Sequence, residues 1–178
     1  LFGNRSTLMQ LWQEIADNFY VQRADFTAKR YLGTEFADHL ATSYPLIVHR
    51  ELSNAFSGML RPSNLEWFRV SVEDERGLTL TDRKWLEMAT KQMRKVMYDR
   101  HTQFVRSTKE ADADFAAFGQ AVLSYEIDWK RPGFLYRCWH LRDVAWDDGP
   151  DGTVGEIHRK WTPSIREIKN LYRSSQLA

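Results

Sequence analysis

Cysteine is nearly missing from this chain: 178 residues hold one, Cys138. An intrachain disulfide is therefore excluded, and a lone thiol suits a reducing compartment such as a bacterial cytoplasm. Neither sign of charge dominates. Lys and Arg number 25 against 24 for Asp and Glu, a formal net charge of +1. Composition thus supplies no bulk pull toward nucleic acid or toward an anionic membrane. No run approaches the ~18 apolar residues of a membrane-spanning helix, so no membrane partner is expected. The opening Leu1-Phe2-Gly3-Asn4-Arg5 has no start Met, no basic stretch and no apolar stretch of a signal peptide, and reads as a cut beginning. The finish at Ser174-Ser175-Gln176, just after a helical pattern, reads as a fragment end in the same way.

Chemical motifs are also sparse. No GxxxxGK followed by Ser or Thr is present, and no GxGxxG opens a helix, so a nucleotide-binding fold is not expected. Cys138 and His140 are two apart on an expected strand and so share a face, and His158 on a nearby strand could complete a metal set. The spacing does not demand a metal, and a half-buried sheet face is the favoured reading. The Asp147, Asp148, Asp151 group fails the EF-hand pattern, because the third loop position is Gly149 and the twelfth is His158. It reads as a solvated hairpin turn. No serine sits in a nucleophile elbow. Asp112 and Asp114, at i and i+2 on an expected helix, face apart. No catalytic residue, cofactor site or metal site is assigned. A nuclease with acidic groups dispersed over separate strands is the weakest of the readings weighed.

What is present is apolar and aromatic. Hydrophobic residues make up 43% and aromatic residues 13%, enough for a globular core and for some aromatic surface at a subunit contact. Helical periodicity predicts a first helix from Thr7 to Tyr20, with Thr7 and Gln10 at capping-box spacing. A short helix is expected around Glu35 to Thr42. Pro45 opens a helix over Leu46 to Leu60 with an apolar stripe of Val48, Leu52, Ala55, Phe56 and Met59, and Arg61-Pro62 ends it. The alternation of Trp67 to Val72 predicts a strand, followed by a turn at Asp74 to Gly77. Thr79 and Asp82 sit at capping spacing before the longest expected helix, Asp82 to Arg106, roughly 36 Å at about 1.5 Å per residue. Trp85, Ala89, Met93, Val96, Met97 and Phe104 mark its buried side. Another helix is expected from a Ser107–Glu110 box to Ser124, its early turn acidic through Glu110, Asp112 and Asp114. Strands follow at Tyr125–Trp129, Phe134–Leu141, Val144–Trp146 and Val154–Trp161. A final helix starts at Thr162-Pro163 and runs to about residue 175.

The fold class expected is α+β: one lobe, helical over 1–124 with a strand near 67–72, then a small, mostly antiparallel sheet over 125–161 and a terminal helix over 163–175. The expected long helix carries seven basic residues against three acidic ones. Lys91, Arg94 and Lys95 are neighbours at i, i+3 and i+4 and form one local patch. That patch could hold phosphates, face solvent, or meet an acidic surface of another subunit.

Several stretches, in order, resemble the portal (head-to-tail connecting) proteins of short-tailed bacteriophages. They are Leu11-Trp12-Gln13-Glu14-Ile15-Ala16 with Arg23-Ala24-Asp25-Phe26, and Ser53-Asn54-Ala55-Phe56-Ser57-Gly58-Met59-Leu60-Arg61-Pro62 followed by Trp67-Phe68. Asp114 to Ala121, Tyr136-Arg137 with Arg142-Asp143-Val144, and the run from Asp151-Gly152 to Thr162 continue the series. The resemblance implies a structural, non-enzymatic subunit of a typically dodecameric ring at a capsid vertex. Such a ring is assembled in the host cytoplasm, becomes part of the virion, and passes double-stranded DNA during packaging and ejection. Its implied partners are further copies of itself, capsid and scaffolding protein, the terminase and a tail adaptor. The chain resembles the N-terminal part of the wing of a longer portal subunit. Ring subunits meet head to tail and need two different complementary patches, which the basic helix and the acidic-start helix could supply. The competing reading is a helical scaffold or protein-binding module unrelated to phage.

Overall fold

The computed structural model describes residues 1–31, 33, 37–62, 65–127 and 133–171. Five helices and four strands follow one another: α1 (Ser6–Phe19), α2 (Tyr44–Leu60), α3 (Leu80–Met97), α4 (Phe104–Phe118), β1 (Val122–Ile127), β2 (Phe134–Trp139), β3 (Val144–Asp148), β4 (Val154–Arg159) and α5 (Ile165–Leu171). The class is α+β. The sheet of the last third is two separate antiparallel hairpins, β1 with β2 and β3 with β4.

The core forms where α1 meets α4 and the segment between the hairpins. Trp12, Ala16, Ala24, Phe26 and Leu141 are buried, and Phe118, Val122 and Trp146 close over them. Phe26 sets its ring against Trp12, Phe118 and His140 at 5.5, 5.1 and 4.7 Å between centroids. Arg5 stitches the start of the chain to this core. Its guanidinium lies between the Trp12 and Trp146 rings, 5.0 and 5.3 Å from their centroids, and donates to the Val144 and Leu141 carbonyls.

The helix α4 is the hub. On one side α2 packs along it, with Phe56 edge-on to Phe115 at 5.6 Å. On the other lies β2, where Ser107 Oγ donates to the Tyr136 carbonyl at 2.8 Å and Phe104 meets the Tyr136 ring at 5.1 Å. Gly119, at φ 68°, ends the helix in the left-handed conformation that a glycine adopts without strain. The chain then turns directly into β1 at Val122, not after Ser124.

The expected long helix over 82–106 is two helices. Asp99 accepts from the His101 amide, and Thr102 Oγ1 donates to the carbonyls of Met97 and Asp99 at 2.7 and 2.8 Å. These short polar side chains satisfy the end of α3 locally and compete with continued helix. Gln103, at φ 59°, makes the break. The Thr79–Asp82 box does cap α3, with bonds in both directions.

Other expectations need correction. α1 begins at Ser6 without a Thr7–Gln10 box; its N-cap is Arg5, whose side chain reaches across to the core instead. Ser107 and Glu110 lie inside α4, one bonded to β2 and the other to Arg106. Trp67–Val72 is extended but has no strand beside it among the described residues. Val70 N–H donates to Thr90 Oγ1, and Trp67 Nε1 donates to the Tyr98 hydroxyl, both at 2.9 Å. Of the short helix expected over 35–42, residues 37–42 form turns and bends, and Glu35 and Phe36 lie outside the described residues. The last helix is capped by Ser164, whose Oγ accepts from the Glu167 amide while Glu167 accepts from the Ser164 amide, two residues beyond Thr162. Residues 172–175 lie outside the described residues.

Candidate functional site

The chemically interesting side chains fall into a buried network that ties the N-terminal segment to α4 and β2. Arg23 lies in the 3-10 turn after α1, and its Nε is 3.0 Å from Asp114 Oδ1. The Asp114 side chain is 1% exposed. Cys138 Sγ donates to Asp114 Oδ2 at 3.5 Å. Burial pushes the Asp114 carboxyl up, against the opposing pull of Arg23. Burial also pushes the Cys138 thiol up, to about 12, with the Asp114 charge adding to it. Such a thiol is protonated near neutral pH and is not a nucleophile.

A second knot lies beside it. His140 Nε2 is 2.6 Å from Asp25 Oδ1, and Arg142 is 2.6 Å from Asp25 Oδ2 and 2.9 Å from Asp143 Oδ1. Burial alone pushes the Asp25 carboxyl up, but His140 and Arg142 outweigh it and hold the group below its ordinary range. The arrangement is a cross-brace: each charge has its partner inside the same lobe.

The pairing reassigns residues read from the sequence. Cys138 and His140 stand two apart, on the strand and its exit, but each turns to a carboxylate of this network. His158 is on β4, against Glu156 at 3.1 Å. Among the described residues no group of His, Cys, Asp and Glu has the arrangement to hold a metal. Asp112 and Asp114 do face apart, and neither is a surface acid at a helix start: both are buried, Asp112 under Arg61 and Asp114 under Arg23. The pairings of Arg23, Asp25 and Arg61 had no signal in the spacing, because their partners are 91, 117 and 51 positions away.

The surface is unusually large. It exposes 13883 Å², whereas a compact monomer of 21.0 kDa exposes about 9,000 Å². Large apolar side chains stand exposed on the faces of α2 and α3. On α2 the rotation is set by polar contacts: His49 Nε2 bonds to the Ala113 carbonyl at 2.9 Å, and Arg61 pairs with Asp112. The expected inner stripe is thereby turned out, leaving Val48, Leu52 and Met59 39%, 45% and 74% exposed, while Phe56 points in.

On α3, Trp85, Met88 and Met93 are 60%, 61% and 50% exposed; Trp85 and Met93 were expected inside. Ala89, Val96 and Met97 face inward as expected, joined by Leu86 and Thr90 in place of Trp85 and Met93, because Thr90 must reach the Leu86 carbonyl and the Val70 amide. Of the basic patch, Lys91 and Lys95 are exposed, and Arg94 is half-buried with its guanidinium 5.7 Å from the Tyr98 ring centroid. Lys84, one of the seven basic residues of the expected helix but outside the expected patch, lines up with Lys91 and Lys95 at i, i+7 and i+11.

The charges are cross-braced within the lobe, the thiol is protonated, and apolar faces of α2 and α3 are uncovered. The chain belongs to the family of bacteriophage head to tail connecting proteins, whose model matches residues 1–178. None of the curated proteins matches it. A scaffold unrelated to phage is therefore set aside. The chain is a component of the phage virion that connects head and tail, in a family of structural proteins. No helix among the described residues is long and apolar enough to cross a membrane.

Proposed function

We propose that the chain forms part of a ring subunit at the capsid vertex, the passage for double-stranded DNA during packaging and ejection. The observation that carries this reading is the uncovered surface, roughly half again what a compact monomer of this mass needs and apolar along α2 and α3. Monomeric proteins rarely leave such faces bare. A ring with two different contact faces per subunit covers both. Family resemblance supplies the rest: a dodecamer, assembled with capsid and scaffolding protein in the host cytoplasm, holding the terminase and later a tail adaptor.

In that ring this lobe builds wing and subunit contacts. DNA contact by the ring is non-specific, consistent with a chain whose charge is balanced overall. The exposed Lys91 and Lys95, with Arg94 behind them, serve a subunit contact in this reading. Negative-stain imaging of the intact protein tests it. A ring with a central channel is expected; a uniform population of monomers refutes the reading.

A further inference from the structure

The β3–β4 hairpin is an arm. From Asp147 to His158 every residue except Gly149 is exposed, on both faces of the ribbon. A lone two-stranded ribbon is marginally stable in water and gains from a surface to lie on. The register pairs Trp146 with Ile157 and Asp148 with Val154, so these four side chains share one face across the local bulge. Ile157 and Val154 are 62% and 57% exposed there, beside the exposed Asp148. Asp147, Asp151 and Glu156 make the arm acidic. Asp151 is engaged within the turn by Thr153; Asp148 stands on the face of Val154 and Ile157, and Asp147 and Glu156, the latter beside His158 at 3.1 Å, point to the other face.

The outward face of α3 has the complementary pattern. Lys84, Met88, Lys91 and Lys95 follow at i, i+4, i+7 and i+11 and form one line along the helix, with Trp85 beside Met88. Lys84, Lys91 and Lys95 have no ion-pair partner among the described residues, and no described ion pair joins the arm to α3. The lengths also agree. Lys84 to Lys95 spans about 16 Å of helix, and Val154 to Arg159 about 17 Å of strand. The acidic-start helix expected to face the lysines cannot do so, because Asp112 and Asp114 are spent on Arg61 and Arg23.

We infer that the β3–β4 arm of one copy lies on the α3 face of the next copy. Asp148 meets the lysine line, Val154 and Ile157 cover Met88 and Trp85, and Asp147 and Glu156 add their charge from the other face of the ribbon. Two unlike patches on every chain make this a head-to-tail contact, the kind that propagates around a ring. The inference rests on the ring reading above.

The test uses the intact protein. Zero-length carbodiimide cross-linking of an equal mixture of isotope-labelled and unlabelled protein reads the contact without any substitution. Mixed-label cross-links between the α3 lysines and Asp148 are expected. Charge reversal then reads its importance. The triple variant K84E/K91E/K95E and the triple variant D147K/D148K/E156K should each cut the ring fraction at least ~10-fold, and the combined sextuple variant should recover it. Parent rings without arm-to-α3 cross-links, or rings indifferent to both reversals, overturn the docking and leave the ring reading standing. A parent that is monomeric overturns both. Rings that survive lysine reversal but lose DNA binding also overturn it, assigning α3 to phosphates.

Discussion

Replacing Asp114 with Ala strands a guanidinium inside the lobe. Arg23 Nε sits 3.0 Å from Asp114 Oδ1, and the two side chains are 17% and 1% exposed. Removing one partner of a buried ion pair typically costs about 3–5 kcal/mol, because the remaining charge has lost its water and gained nothing. The small exposure of Arg23 lets some water reach it, which favours the lower end of that range. The lost Cys138 contact adds little, since a thiol is a weak donor. At about 2–4 °C per kcal/mol for a domain of this size, the melting temperature should fall by roughly 6–20 °C. Near-ultraviolet circular dichroism of the tryptophans follows the transition, because Trp12 and Trp146 report on the adjoining core. The double variant Arg23→Met with Asp114→Leu should recover most of the loss, as apolar residues of similar volume need no partner. A fall under about 3 °C for Asp114→Ala, or a double variant that loses as much as the two single changes together, would refute the reasoning.

Two further outcomes follow from the same network. Asp25 is held below its ordinary value of 3.8 by His140 and Arg142, which outweigh its burial; a depressed carboxylate contributes stability above its unfolded value and loses it as pH falls through the folded one. Asp25→Asn should therefore melt below the parent near pH 7, with the gap closing below about pH 4; a gap constant across that range excludes the assignment. Cys138, pushed up to about 12 by burial and Asp114, should resist iodoacetamide at pH 8 in the folded protein and react on unfolding, with mass spectrometry as the readout.

Local patterns carried over well into the structure. Pro45 in the first turn of α2, the Thr79–Asp82 box of α3, a turn before Val154 (shorter than expected, since β3 runs on through Asp148) and four strand segments all rest on interactions within a few residues. The break at Tyr98–Gln103 was legible too, in Asp99 and Thr102, but the apolar spacing across it suggested continuity. Trp67–Val72 shows the limit of alternation, which matches any extended segment with one covered side and requires no neighbouring strand.

The candidate site was less legible. The apolar residues of α2 and α3 were visible, but which way they face was not. Rotation depends on His49 meeting Ala113, Arg61 meeting Asp112, and Thr90 meeting Val70. The middle contact converts acids that looked free at a helix start into buried partners.

The sequence by itself determined the class, the order of elements, the poverty of catalytic motifs and the kinship with head-to-tail connecting proteins, because these depend on composition, short-range spacing and ordered motifs. Only the tertiary structure decided which charges are spent internally and which apolar faces are left bare. Those outcomes are set by pairs up to 117 positions apart. Spacing along the chain carries no record of such encounters, and they are what leave apolar side chains of α2, α3 and the β3–β4 arm exposed.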